Sequence, residues 1–218
     1  MSFARFSGRA LARGLAAGAL FTVFLPLAST AYVGQWHSYL DNSRVNAMTT
    51  RNGYVYAGSQ GGIRRIDPAT LAIRDYGNLD GLADPWIVGF ATDSSGVLWA
   101  GSRSGYVYAL PKGNGSRWET RSRSFAAQSW GMSDRAMLSA GPYLYLGFAK
   151  GLSIFDTRNG ISQLNITRFG NDIDVQVLSL LRHDDTLYVG TNAGAYWARI
   201  YFDDPLTPPP GYANPADY

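Results

Sequence analysis

VYAGSQGGIRRID, running from Val55 to Asp67, is one of four stretches that align with one another without gaps. The others are LWAGSRSGYVYAL from Leu98, LYLGFAKGLSIFD from Leu144 and LYVGTNAGAYWAR from Leu187. Their first glycines, Gly58, Gly101, Gly147 and Gly190, stand 43, 46 and 43 residues apart, and each is followed four positions later by Gly62, Gly105, Gly151 or Gly194. Two residues before the first glycine there is always an aromatic: Tyr56, Trp99, Tyr145 or Tyr188. A fixed period of this length has to be read before any single strand is assigned, because each repeat is one structural unit that cannot bury its core alone. Each copy reads as an apolar strand, a Gly-x-x-x-Gly turn and a second apolar strand, which is a β-hairpin. The strands lack clean polar alternation, so both faces of each sheet are expected to be covered.

A further strand is expected before each hairpin, at Val45 to Thr49, Ile87 to Thr92, roughly Ala136 to Ala140, and Val177 to Leu181. A more polar one is expected after the first three, at Ala72 to Tyr76, Arg117 to Thr120 and Ile161 to Thr167, with no convincing candidate after the fourth. Four short strands per period define a propeller blade, in which stacking supplies the core that one small sheet lacks. The fold expected is therefore all-β: a propeller of about four consecutive four-stranded blades, forming an incomplete ring. Blade boundaries fall at about 41–80, 81–126, 127–172 and 173–205. Residues 206–218, with Pro208 to Pro210 and Pro215, read as an irregular tail or a truncated linker. The period suits WD40 repeats, but no Trp-Asp dipeptide occurs, and the single Gly61-Gly62 pair is no kelch pattern.

The stretch from Trp36 to Leu110 carries a more specific likeness. Asp80-Gly81-Leu82 before a strand, Asp93 to Gly96 at a turn, and Leu98-Trp99-Ala100-Gly101 resemble the two-component-regulator-type propeller repeat. The leader followed by Gly-x-Trp and the Tyr/aliphatic hairpins is similar to the amino-terminal propeller of PorZ-like type IX secretion proteins. That resemblance implies a non-enzymatic protein of the cell surface that helps attach secreted cargo to anionic lipopolysaccharide. With about four blades and neither a second propeller nor a carboxy-terminal sorting domain, the chain reads as a fragment of that plan. A ligand-sensing periplasmic propeller of a two-component regulator is the alternative, and a propeller lyase or hydrolase a second.

Residues 1–31 have the layout of a secretory signal peptide: Arg5, Arg9 and Arg13, an apolar run from Leu15 to Leu27, and Ser29-Thr30-Ala31 at the cleavage site. The run is interrupted by Gly18 and Pro26 and is short for a bilayer span, so no membrane span is expected after cleavage. The product is expected to be exported, to the periplasm or the cell surface of a Gram-negative bacterium. Those three arginines account for the whole formal charge of +3, since removing them leaves 16 basic residues against 16 acidic ones. Such a balance gives no footing for nucleic-acid binding. Zero cysteines exclude disulfides, thiolate chemistry and cysteine metal sites.

Propeller ligands commonly meet the end where turns between second and third strands lie beside the loops that lead into the first strands. Gln60, Arg103, Lys150 and Asn192 occupy those turns, with Asn42, Arg44, Asp80, Asp84, Asp134, Asp172 and Asp174 in the lead-in loops. Amide and cationic groups of this kind suit a surface glycan, lipopolysaccharide or a secretion-system partner protein. Solvated turn residues are the plainer reading. The repeated aromatics are expected to pack between blades rather than stack on sugars, and Trp36 to pack on the first blade or close a ring. Catalysis lacks a residue set, because His37, His183 and the single glutamate, Glu119, fall at unlike places in the repeat. Asp184-Asp185 after His183 reads as a turn, and no metal or cofactor is expected. Asn114-Gly115-Ser116 and Asn165-Ile166-Thr167 match the glycosylation sequon, which matters only in a eukaryote.

Overall fold

The structure is a computed structural model and describes residues 40–112, 116–127 and 131–211. The leader, Trp36, His37, Asn114, Gly115 and Pro215 lie outside the described residues. The four repeats form four antiparallel sheets, each strand bonded to the one before it in sequence. Blade one holds β1 (Val45–Arg51), β2 (Tyr54–Ser59), β3 (Ile63–Ile66) and β4 (Ile73–Tyr76). Blade two holds β5 (Ile87–Thr92), β6 (Leu98–Ser102), β7 (Val107–Leu110) and β8 (Glu119–Ser122). A helical turn, α1 (Ser124–Ala127), follows it. Blade three holds β9 (Met132–Ala140), β10 (Tyr143–Phe148), β11 (Gly151–Asp156) and β12 (Ile161–Ile166).

A two-stranded ribbon, β13 (Arg168–Phe169) with β14 (Asp172–Ile173), leads into blade four. That blade holds β15 (Val177–His183), β16 (Thr186–Thr191) and β17 (Ala195–Arg199), so its sheet has three strands where the others have four. The first strands β1, β5, β9 and β15 pack in succession along the inside of an open ring. Arg135, held at φ +63°, reaches from blade three to donate to the Asn46 carbonyl of blade one at 3.1 Å. The inner strand of blade three begins at Met132, earlier than its sequence suggests. Ser133, Asp134 and Arg135 are polar and break the apolar pattern that marks the strand from Ala136 onward.

Core side chains lie between blades. Tyr56, Ile63 and Tyr76 of blade one cluster with Leu98, Ala100, Tyr108 and Trp118 of blade two. Trp99, Val107 and Ala109 of blade two cluster with Leu144, Leu146, Phe148 and Phe155 of blade three. Tyr145, Leu152 and Ile154 of blade three cluster with Val177, Leu187 and Val189 of blade four. Three of the four repeated aromatics are thus buried as expected, Tyr56 at 4%, Trp99 at 2% and Tyr145 at 0% exposure. Tyr188 is a correction: it is 42% exposed. Among the described residues no blade packs on its face of blade four, so the position that packs in the other repeats here stands open.

Candidate functional site

At the end where turns meet lead-in loops, the turns between second and third strands of blades two, three and four are each tied by a backbone hydrogen bond to their own blade's lead-in loop. The backbone N–H of Arg103 donates to Trp86 (2.7 Å), that of Ala149 to Gly131 (2.9 Å) and that of Asn192 to Gln176 (3.1 Å). Blades two and three are linked as well, because the Met132 N–H donates to the Arg103 carbonyl at 3.0 Å. One hydrogen-bonded ridge therefore carries Trp86, Arg103 and the turn that ends in Lys150. Sequence reasoning placed Arg103 and Lys150 here but passed over Trp86, which the lead-in segment Asp84-Pro85-Trp86 sets outside the buried aromatic column. Trp86 is 41% exposed, and the Arg103 guanidinium lies over its ring at 5.8 Å from the centroid. Arg103 also pairs with Asp134 at 3.3 Å, a half-exposed bridge worth about 1 kcal/mol or less.

The other groups on this end are largely occupied in building it. Asp84 accepts from the Ser104 hydroxyl (2.6 Å) and N–H (3.0 Å), and Tyr108 bonds the Asp84 backbone. The Asn192 amide oxygen accepts from the Gln176 N–H at 2.9 Å. Ser59 bonds Asn42, and Tyr196 bonds Asp172. Gln60 is half-buried and Lys150 exposed. Among the described residues no hydrogen bond or ion pair joins any two of Gln60, Arg103, Lys150 and Asn192. They occupy equivalent turns on separate blades, and none lines the two clefts described next.

The opposite end, where first strands turn into second strands, has a cleft of about 610 Å³ between blades two and three. Asp93, Trp99, Lys112, Arg121 and Arg158 line it. Burial pushes the Asp93 carboxyl up, but hydrogen bonds from Ser95, Trp99 and Val97 outweigh it and leave it below the ordinary carboxylate value. Asp156 is held low chiefly by Arg158, which meets it at 2.7 Å. A smaller apolar slot of about 100 Å³ lies between blades three and four, lined by Ile166, Phe169, Val189, Tyr196 and Trp197. Asp184 and Asp185 form the turn between β15 and β16, and Asp185 pairs with Arg199 at 2.7 Å. Among the described residues no three His, Asp or Glu side chains are grouped to hold a metal ion.

The low values of Asp93 and Asp156 make acid stability a direct test. A depressed folded pKa contributes stability that is complete above the unfolded value of about 3.9 and is lost as pH falls through the folded value. Melting temperature is expected to be flat from neutral pH down to about that unfolded value and to drop below it. In Asp156→Asn the melting temperature should be lower at neutral pH and the acid drop shallower. An acid limb identical to wild type would assign the drop to other carboxylates.

No protein-family profile matches this chain, and no curated protein matches it by sequence. Solved structures do. The extracellular domain of BT4673 from B. thetaiotaomicron, assigned to a one component system, superposes with a TM-score of 0.58 at 21% identity, covering 75% of this chain and 21% of that one. PorZ, a surface component of the type IX secretion system of Porphyromonas gingivalis, superposes at 0.59 and 17% identity, covering 79% and 23%. The fold is a β-propeller. The computationally designed Ika4 protein superposes at 0.54 and 18% identity, covering 77% of this chain and 99% of its own. The chain spans between a fifth and a quarter of BT4673 and PorZ. At these identities the likeness concerns architecture: an arc of propeller blades shared with extracellular and surface proteins. Among the described residues no helix is long and apolar enough to cross a membrane.

Proposed function

We propose that this chain is an exported, non-enzymatic binding propeller, PorZ-like in its cell-surface setting, that takes an anionic glycan such as lipopolysaccharide on the ridge of Trp86, Arg103 and Lys150. The observation that carries the reading is the half-exposed Trp86 indole with the Arg103 guanidinium over it. An aromatic face with polar groups at its rim suits a sugar ring, and Arg and Lys suit its acidic substituents. Asp134 already neutralises part of Arg103, so charge alone cannot hold a polyanion here. Stacking and neutral hydrogen bonds must share the work. Binding should accordingly weaken only moderately with salt. The likeness to a type IX secretion surface component supports the setting.

The test is binding of purified lipopolysaccharide by titration calorimetry. Trp86→Ala, and separately Arg103→Ala combined with Lys150→Ala, are each expected to weaken it at least several-fold. Arg103→Ala with Lys150→Ala should change stability by no more than about 1 kcal/mol, and Trp86→Ala, which removes a half-buried indole, by less than the about 3–5 kcal/mol of a core aromatic. Variants that bind as wild type would remove the ridge as the site. Wild type that binds no surface glycan would remove the ligand class.

A further inference from the structure

Blade three, which lies between blades two and four, spends more chain on its inner strand than the other blades do. The interval between two equivalent strand pairs is Val45 to Met48 in blade one, Ile87 to Phe90 in blade two and Val177 to Leu180 in blade four, but Met132 to Met137 in blade three. Extra residues are looped into that strand, and they contribute to the 46-residue spacing where the other spacings are 43. The looped segment Ser133-Asp134-Arg135 is polar and costly to hold. Arg135 sits at φ +63°, a left-handed conformation that favours glycine. The Ser133 hydroxyl is buried with no hydrogen-bond partner among the described residues. Blade stacking does not call for this loop, because blades one, two and four pair their first and second strands with the shorter interval. Backbone strain of this kind persists where a side chain has to be aimed, and a bulge is a common means of re-aiming one beside a functional site.

The loop aims its two charged side chains at different neighbours. Asp134 pairs with Arg103 of blade two at 3.3 Å. Arg135 reaches into the hollow inside the arc, where its Nε donates to the Asn46 carbonyl of blade one at 3.1 Å. That bond orients the guanidinium plane. Among the described residues no hydrogen bond or ion pair engages Nη1 or Nη2. Asn46, Ala47 and Phe90 also line the hollow, and Arg135 is the one charged side chain among the residues that do. A guanidinium anchored through Nε, with no carboxylate beside it, offers its two terminal nitrogens as a preorganised fork for two oxygens of an anion. We propose that Arg135 is an anion-binding residue, taking a phosphate or carboxylate group through Nη1 and Nη2 in the hollow bounded by Asn46 and Phe90. The site is separate from the ridge of Trp86, whose Arg103 is held by Asp134, and it stands on its own geometry.

Amide chemical-shift titration of the isotope-labelled full chain with inorganic phosphate, and separately with acetate, at constant ionic strength tests it. Saturable shifts are expected at Asn46, Asp134 and Arg135 with at least one of the two anions. Phosphate alone assigns a phosphate group, and acetate alone a carboxylate. Arg135→Gly should weaken the affinity by on the order of ten-fold or more, since it removes a charge-assisted pair of hydrogen bonds. Its melting temperature should stay level or rise, because glycine relieves the left-handed φ. Should it fall instead, Arg135→Gln decides: its amide can still donate to the Asn46 carbonyl, and its affinity must drop as well. A wild type with no saturable shift at these residues for either anion, or an affinity unchanged in Arg135→Gly or Arg135→Gln, overturns the proposal. A wild type that binds no lipopolysaccharide removes the ridge reading and leaves the phosphate and acetate titrations as decisive as before.

Discussion

Trp99→Ala is expected to destabilise the protein by about 3–5 kcal/mol, the range for emptying an aromatic site in a packed core. Three observations set the size of the effect. The ring is buried between blades two and three within a cluster that includes Val107, Ala109, Leu144 and Leu146. It meets Phe155 edge to face with centroids 5.8 Å apart. Its indole N–H donates to Asp93 at 2.8 Å, so truncation also takes a donor from a buried carboxylate. At about 2–4 °C per kcal/mol for a domain of this size, the melting temperature should fall on the order of 10 °C. Trp99→Phe keeps much of the packing and loses the donor, and should fall between. Tyr188→Ala, at the equivalent position of blade four, should move the melting temperature of the monomer far less, because no neighbouring blade covers its ring. Equal losses at the two positions would contradict the packing of the blades.

The contrast between Trp99 and Tyr188 marks how far the sequence could be read. Repeat spacing, paired glycines and the aromatic column encode what each blade does locally, and the structure places the hairpins where those signals lie. Burial of a blade face depends on what stands next to it, and a repeat motif is the same whether its neighbour exists or not. Tyr188 therefore looks identical in sequence to Tyr145 and differs only in context. The ligand end shows the same limit. Arg103 was legible as a cation in a turn, but Asp134, its partner, belongs to the next blade and is 31 residues away. Trp86 was hidden for a related reason: nothing local in Asp84-Pro85-Trp86 says whether an indole turns into the core or onto the surface. The ribbon β13 with β14 was missed because two-residue strands carry no periodicity.

Gly151→Ala is expected to be among the most damaging small substitutions in the chain, and Gly194→Ala, at the same repeat position, much milder. Both glycines have positive φ, +120° and +156°, so an added methyl group is strained at each. That strain costs about 1–3 kcal/mol. Surroundings separate the two sites. A Cβ on Gly151 would lie 2.1 Å from the Ile166 carbonyl oxygen and 3.1 Å from the Thr167 Cα, both backbone atoms at the end of the blade's fourth strand. The backbone there must move, which adds about 1–3 kcal/mol of overpacking. Gly62 is in the same position, its Cβ site 2.2 Å from the Tyr76 carbonyl oxygen at the end of β4. Among the described residues blade four has no fourth strand, and a Cβ on Gly194 would meet nothing within 4 Å. Chemical denaturation of the two alanine variants should give a loss at Gly151 about twice or more that at Gly194. Equal losses would mean that backbone strain alone sets the cost and that the fourth strand does not press on the turn.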